Sequence, residues 1–341
     1  VTELVWLQTG FIGDVVLTTA AIELAARELP GARQHLVTTP AGAAACFGHP
    51  ALASVVVFEK SLAGFGKTKR AVLAKLEDRR GAVTLQAHRS YRSSLLARHL
   101  GLRTITYSET SGGFLAHERV PRIAVLHEAH RIALLLAPLG VRREAMLAAR
   151  PKLPPLPLDG DAAWQRRLAA FPGRLVAVAP GSVWGTKRWT VEGFTELARR
   201  LLAGTDVGIA LIGSGQEKAL AATIVAALGG EGERVFDLAG CTSLTDLRRL
   251  FPRLALLVGN DSSPLHFASA FDVPTVGLFG ATTPAMGFGP LATRARALGV
   301  EGLECRPCSA HGPQICPVGH FRCMRELGVD VVLGACREIL V

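Results

Sequence analysis

A single carboxylate, Asp14, closes the turn Gln8-Thr9-Gly10-Phe11-Ile12-Gly13-Asp14, directly after an apolar run. The turn comes within one residue of the dinucleotide fingerprint G-x-G-x-x-G, with Gln8 standing where the first glycine belongs. The next strand ends in Thr38-Thr39, with no carboxylate to hold a ribose. A nicotinamide enzyme is therefore disfavoured. Asp14 is either an acidic residue favoured by the dipole of a helix start or a carboxylate delivered for chemistry by a tight glycine turn.

Three further loops offer groups suited to anions. Pro180-Gly181-Ser182-Val183-Trp184-Gly185-Thr186-Lys187-Arg188-Trp189 joins a strand to a helix and supplies glycines, hydroxyls and two adjacent cations. Such a loop can wrap a diphosphate, with Lys187 as a point charge on its oxygens; a solvated basic turn is the alternative. It is not a Walker loop, because the G-x-x-x-x-G-K-[ST] spacing is absent. Gly213-Ser214-Gly215-Gln216-Glu217 follows the next strand, where Glu217 either meets ribose hydroxyls or caps its own helix. In Gly259-Asn260-Asp261-Ser262-Ser263-Pro264-Leu265-His266, the proline marks a first helical turn. Ser262, Ser263 and the free N–H groups then form an anion site that His266 can reach; a structural histidine near the helix start is the alternative.

Four of the seven cysteines fall between Cys305 and Cys323, spaced Cys305-x2-Cys308-x7-Cys316-x6-Cys323, with His320 close by. Four soft ligands in a short Gly- and Pro-rich loop match a tetrahedral structural zinc or a rubredoxin-like iron. Reduced packing cysteines and a redox disulfide are the competing readings.

These loops need a scaffold that places them at strand ends. Apolar runs at Leu4–Leu7, His35–Thr38, Ser54–Phe58 and Ala82–Gln86 read as strands, with helices at Thr18–Leu29, Ala71–Asp78 and Ser93–Leu100. Pro151, Pro154, Pro155 and Pro157 make residues 151–158 a stiff extended linker. Strands at Leu175–Ala179, Val207–Ile212, Leu254–Val258 and Thr275–Phe279 then alternate with helices at Val191–Leu202, Gln216–Leu228 and Pro264–Phe271. The expectation is two α/β domains, residues 1–150 and 159–341, each built on a parallel sheet. Hydrophobic residues make up 49% of the 341, enough for two full cores. No apolar run approaches the roughly 20 residues of a membrane span. The first residues lack the pattern of a signal peptide, so a cytoplasmic protein is expected. The net charge of +10 favours acidic partners. With no basic tail or recognition motif, nucleic acid is not expected to be one of them; a non-catalytic, metal-stapled module that binds nucleic acid is the distant alternative.

Taken together, Thr9–Asp14, Ala179–Trp189, Gly213–Glu217, Val258–Ala270 and Pro274–Phe279 resemble glycosyltransferase family 9, the heptosyltransferases of lipopolysaccharide core assembly. Asn260-Asp261-Ser262 followed by His266 is the most specific match; Ser263 stands where the family usually has glycine. The resemblance implies a GT-B fold, two Rossmann-like domains facing across a cleft. The first would bind the acceptor and the second the nucleotide sugar. It also implies inverting transfer from ADP-L-glycero-D-manno-heptose with no catalytic metal, other donors or acceptors of the family being the alternative. Asp14 becomes the general base. Gly13, Ser182, Thr186, Lys187, Glu217, Asp261, Ser262, Ser263 and His266 serve the donor, with Lys187 on the departing diphosphate and Glu217 on the ribose. The bases Lys67, Arg70, Arg89 and Arg92 would suit a phosphorylated, lipid-linked acceptor at the anionic inner face of the inner membrane. The cysteine loop reads as an embellishment apart from the catalytic loops.

Overall fold

The computed structural model describes residues 2–160, 162–230 and 232–341. It divides into two units, Val1–Pro154 and Pro155–Val341. The boundary falls inside the proline stretch. On one side the Lys152 N–H donates to Thr19 Oγ1 at 3.0 Å, and on the other the Leu156 N–H donates to the Arg248 carbonyl at 3.0 Å.

The first unit is built on six strands, β1 (Glu3–Gln8), β2 (Arg33–Thr38), β3 (Ser54–Val57), β4 (Val83–Gln86), β5 (Arg103–Tyr107) and β6 (Glu118–Val120). They pair in parallel in the order β3-β2-β1-β4-β5-β6. β1 is central and covered on both faces, so all six of its residues are buried and its middle four, Leu4–Leu7, read as a continuous apolar run. Its Trp6 indole donates to Gln34 Oε1 at 2.8 Å, which satisfies the one polar group that a buried Trp carries.

The second unit repeats the plan with β7 (Leu175–Ala179), β8 (Gly208–Leu211), β9 (Val235–Asp237), β10 (Leu254–Asn260), β11 (Thr275–Leu278) and β12 (Ala295–Leu298). The order is β12-β11-β10-β7-β8-β9, again parallel. Phe194, Leu197 and Leu201 on the helix Val191–Gly204 pack with Val332, Leu333 and Cys336 of the last helix, Val329–Leu340, in one core over this sheet. In each unit the strand order reverses once, between β1 and β4 and between β7 and β10. Loops leaving the carboxyl ends of those strands flank the crevice where open α/β sheets bind ligands.

Two helices differ from expectation. The first begins at Ile12 rather than Thr18, so Asp14 sits in its first turn and not in the preceding loop. The third spans Leu62–Leu73 rather than 71–78, because the Ser61 hydroxyl accepts the Gly64 N–H at 3.1 Å and starts the helix there.

Candidate active site

At the first reversal, β1 hands over to the turn that carries Asp14 and β4 hands over to His88-Arg89. Gly10 sits in a crowded corner of the turn. A Cβ there would lie 3.0 Å from Gln8 Oε1 and 3.1 Å from both Asp14 Oδ2 and His88 Cδ2. Asp14 keeps part of its surface exposed, yet protein packed around the carboxyl pushes its pKa up from 3.8 to about 7. Burial is the largest cause and the charge of Glu128 adds to it. The Phe11 N–H and the charges of Arg89 and Arg122 pull the other way. A helix N-terminus favours a carboxylate by about 0.3–1 kcal/mol, whereas a rise of this size corresponds to about 4 kcal/mol. Desolvation wins. Asp14 is therefore a carboxylate poised to exchange a proton near neutral pH, the property a general base needs.

Around it lie groups that no motif in the sequence signals. His88 Nδ1 lies 3.0 Å from Thr9 Oγ1 and 2.8 Å from Ser93 Oγ. Burial, then the charges of Lys60 and Arg89, lower its pKa to about 4, so the ring is neutral at physiological pH. The Glu128 carboxylate accepts from Arg122 at 2.5 Å and Arg131 at 2.9 Å. Of the expected acceptor bases, Arg89 is the one whose charge reaches Asp14. Lys67, Arg70 and Arg92 are exposed, with Lys67 paired to Glu59 at 3.7 Å. Gly13 is buried in the first helical turn of this unit, beside Asp14 rather than on the diphosphate loops.

At the second reversal, the loops after β7 and β10 are bolted together by Asn260. Its Oδ1 accepts the Trp189 N–H at 2.9 Å and its Nδ2 donates to the Pro180 carbonyl at 2.8 Å. Lys187 Nζ reaches Asp261 Oδ2 at 2.7 Å, and the same oxygen accepts Thr282 Oγ1 at 2.6 Å. The lysine charge is thus held in place before any ligand arrives. Ser182 is buried, with its Oγ accepting the Trp184 N–H at 3.3 Å. Ser262 caps the helix Ser263–Ala270 by backbone position alone, its hydroxyl donating to the Asn260 carbonyl at 3.2 Å. Ser263 and Pro264 open that helix, and His266 is buried one turn in, 6.2 Å from the Phe288 ring. Glu217 caps its own segment. Its Oε2 accepts the Ser214 N–H at 2.6 Å in a capping box, and its carboxylate lies directly over Gly181, where a Cβ would displace it.

Two expectations change. Thr186 does not present a free hydroxyl to a ligand; its Oγ1 donates to the Pro313 carbonyl at 2.5 Å and its N–H to the same oxygen at 3.2 Å. Nor does the cysteine loop stand apart from the loops after β7 and β11. The Cys308 N–H donates to the Ala281 carbonyl at 2.9 Å, and Gln314 and Pro313 grip the loop around Gly185. Within the loop, Cys305 Sγ lies 3.8 Å from His320 Nε2. Burial, then the charges of Cys305 and Cys316, push the Cys308 thiol up; burial pushes Cys323 to about 11, with Cys308, Cys316 and Cys305 adding to it. Burial would also raise Cys316, but the N–H groups of Phe321, Val318, Gly319 and His320 outweigh it and hold that thiol below its usual value. Among the described residues no three metal-ligating side chains converge on one point.

The sequence model of Glycosyltransferase family 9 (heptosyltransferase) matches residues 76–315. Lipooligosaccharide heptosyltransferase 2 of Campylobacter jejuni is 27% identical over 49% of this chain and 51% of its own length. The chain thus spans about half the length of that curated relative. The structure of Escherichia coli ADP-heptose lipopolysaccharide heptosyltransferase II superposes with a TM-score of 0.78 at 21% identity, covering 100% of this chain and 98% of that one. The bacterial iron-containing dodecameric glycosyltransferase TibC from enterotoxigenic E. coli H10407 has a TM-score of 0.61 at 15% identity, covering 99% and 78%. These likenesses agree with the two parallel six-stranded sheets in placing the fold in the α/β GT-B class. With the family match running through both sheets' switch-point loops after β4, β7 and β10, the chain belongs to glycosyltransferase family 9, the heptosyltransferase family.

Proposed function

We propose that the protein transfers heptose, with inversion, from ADP-L-glycero-D-manno-heptose to a phosphorylated, lipid-linked inner-core acceptor. The observation that carries the reading is the Asp14 carboxyl, lifted to about 7 at the first unit's switch point. Inverting transfer needs one base to take the proton of the attacking hydroxyl while the diphosphate leaves from the opposite face. Asp14 supplies the base. The leaving diphosphate needs fixed positive charge, which Lys187 and the N-terminus of the helix Ser263–Ala270 supply. No step in this scheme calls for a catalytic metal. Glu217, whose Oε2 caps Ser214, would meet a ribose hydroxyl through its other carboxylate oxygen. The E. coli heptosyltransferase II of similar fold is an ADP-heptose enzyme, which supports the donor. Arg89 and Arg122 beside Asp14 suit an acceptor phosphate.

The cysteine loop would hold a structural zinc or iron ion only by drawing its thiols together, since among the described residues no three metal-ligating side chains converge. Four thiols with a neighbouring imidazole are the donor set such ions take, the N–H groups around Cys316 favour its thiolate, and TibC is an iron-containing protein. The ion would order the loop and supply no chemistry to the transfer.

The deciding experiment incubates the purified protein with ADP-L-glycero-D-manno-heptose and heptose-free inner-core lipopolysaccharide. ADP release and a product of inverted anomeric configuration by NMR are expected. Retention of configuration, or transfer by Asp14→Asn at the wild-type rate, would overturn the mechanism.

A further inference from the structure

We infer that the cysteine-rich loop positions the donor diphosphate loop, with Gln314 as the positioning residue. The inference rests on the reading of residues 180–189 as the diphosphate loop, and goes beyond it by making a distant segment responsible for that loop's shape. The Gln314 amide pairs with the backbone at both ends of a short stretch. Its Oε1 accepts the Gly185 N–H at 3.1 Å and its Nε2 donates to the Val183 carbonyl at 3.0 Å. One residue earlier, the Pro313 carbonyl takes both the N–H and the hydroxyl of Thr186. A Cβ at Gly185 would collide with the Gln314 carbonyl. Gly312, at φ +79°, lies so near that a Cβ there would meet Lys187 Cγ at 3.4 Å. The His311 ring stacks on Trp184 with 11° between the planes.

The same segment holds the neighbouring loop. Arg306 donates to the Phe279 carbonyl at 2.9 Å and the Thr282 carbonyl at 3.0 Å, and Thr282 is the residue that donates to Asp261, the partner of Lys187. Residues 306–314 therefore grip the loop that carries Lys187 and the loop after β11, whose Thr282 in turn holds Asp261. The backbone donors of Gly185 and Thr186 are spent on this grip. Their role is to fix where Lys187 stands rather than to touch phosphate.

The test uses Gln314→Ala and Gln314→Glu in the full chain, read by calorimetry with ADP and with adenosine and by amide hydrogen exchange. Without the Gln314 brace, ADP binding must itself order the 183–186 stretch, and that cost comes out of the affinity. Gln314→Ala is expected to weaken ADP by about tenfold while adenosine stays within about twofold. Gln314→Glu keeps the acceptor for the Gly185 N–H and should fall between. Exchange at the Gly185 and Thr186 amides should quicken in Gln314→Ala. Unchanged ADP affinity, parallel losses for ADP and adenosine, or unchanged exchange at those two amides would each overturn the inference. Wild-type protein that binds no ADP would instead remove the donor assignment, and exchange at the same amides would then decide the brace alone.

Discussion

As the proposed general base, Asp14 ties structure to rate through a proton. Its pKa near 7 means the carboxylate form is scarce at pH 6 and dominant at pH 8, so kcat/KM should rise across that interval with an apparent pKa of about 7. Glu128 raises that value and Arg122 lowers it. Glu128→Gln should therefore move the acid limb of the profile to lower pH, and Arg122→Gln should move it higher; limbs that stay put would detach these residues from Asp14. The same shift bears on stability. Because the folded chain keeps a proton that an unfolded Asp loses near 3.8, stability falls as pH rises from about 4 to about 7. Asp14→Asn removes that loss. The variant is expected to melt above wild type at pH 8, with the gap closing toward pH 4, while transfer drops by about 10²–10⁴-fold. Lys187→Ala, by contrast, should weaken ADP far more than adenosine, since its charge acts only on the diphosphate. Equal losses in calorimetry would mean that the lysine serves folding.

At the scale of elements, strands with apolar runs were legible in the sequence, and those without were not. Ser54–Val57 and Leu175–Ala179 announce themselves. β5 reads Arg-Thr-Ile-Thr-Tyr and buries two threonines through hydrogen bonds, so its composition hides its depth. β12, Ala-Arg-Ala-Leu, lies half-exposed at the sheet edge and shows no run at all. The site divides the same way. Asp14, Lys187 and Asp261 stand in local motifs, whereas Arg122, Glu128 and Gln314 come from stretches with no pattern and acquire meaning only through tertiary contact. The cysteine loop was visible as a ligand set, but its grip on the loop around Gly185 was not. If it binds an ion, protein purified without chelator should carry zinc or iron near one equivalent, and Cys308→Ser should lose it. Chelation should lower the melting temperature. Metal-free protein with four titratable thiols and unchanged melting would leave reduced packing cysteines as the account.

For the molecule as a whole, the charge of +10 is a long-range property that neither site explains. Lys67, Arg70 and Arg92 face solvent on the first unit, and among the described residues no helix is long and apolar enough to cross a membrane. Contact with the proposed lipid-linked acceptor would draw on surface electrostatics, at about 1 kcal/mol per base close to an anionic leaflet. The protein is expected to co-sediment with phosphatidylglycerol vesicles at low salt, and to be released as the Debye length shortens from about 30 Å at 0.01 M to about 8 Å at 0.15 M. It should ignore phosphatidylcholine vesicles. Binding to both lipids alike, or to neither, would separate the charge from membrane contact.

Gly185 and the Gln314 carbonyl that forbids it a side chain are 129 positions apart along the chain. Such a pair constrains how the two segments can drift. While the cysteine-rich segment is present, position 185 is closed to every residue but glycine; once a lineage sheds that segment, nothing on the opposite side enforces the restriction. Family members without the four cysteines should therefore show varied side chains at the position matching Gly185, and those that keep them should show glycine. The two traits should have been gained and lost together.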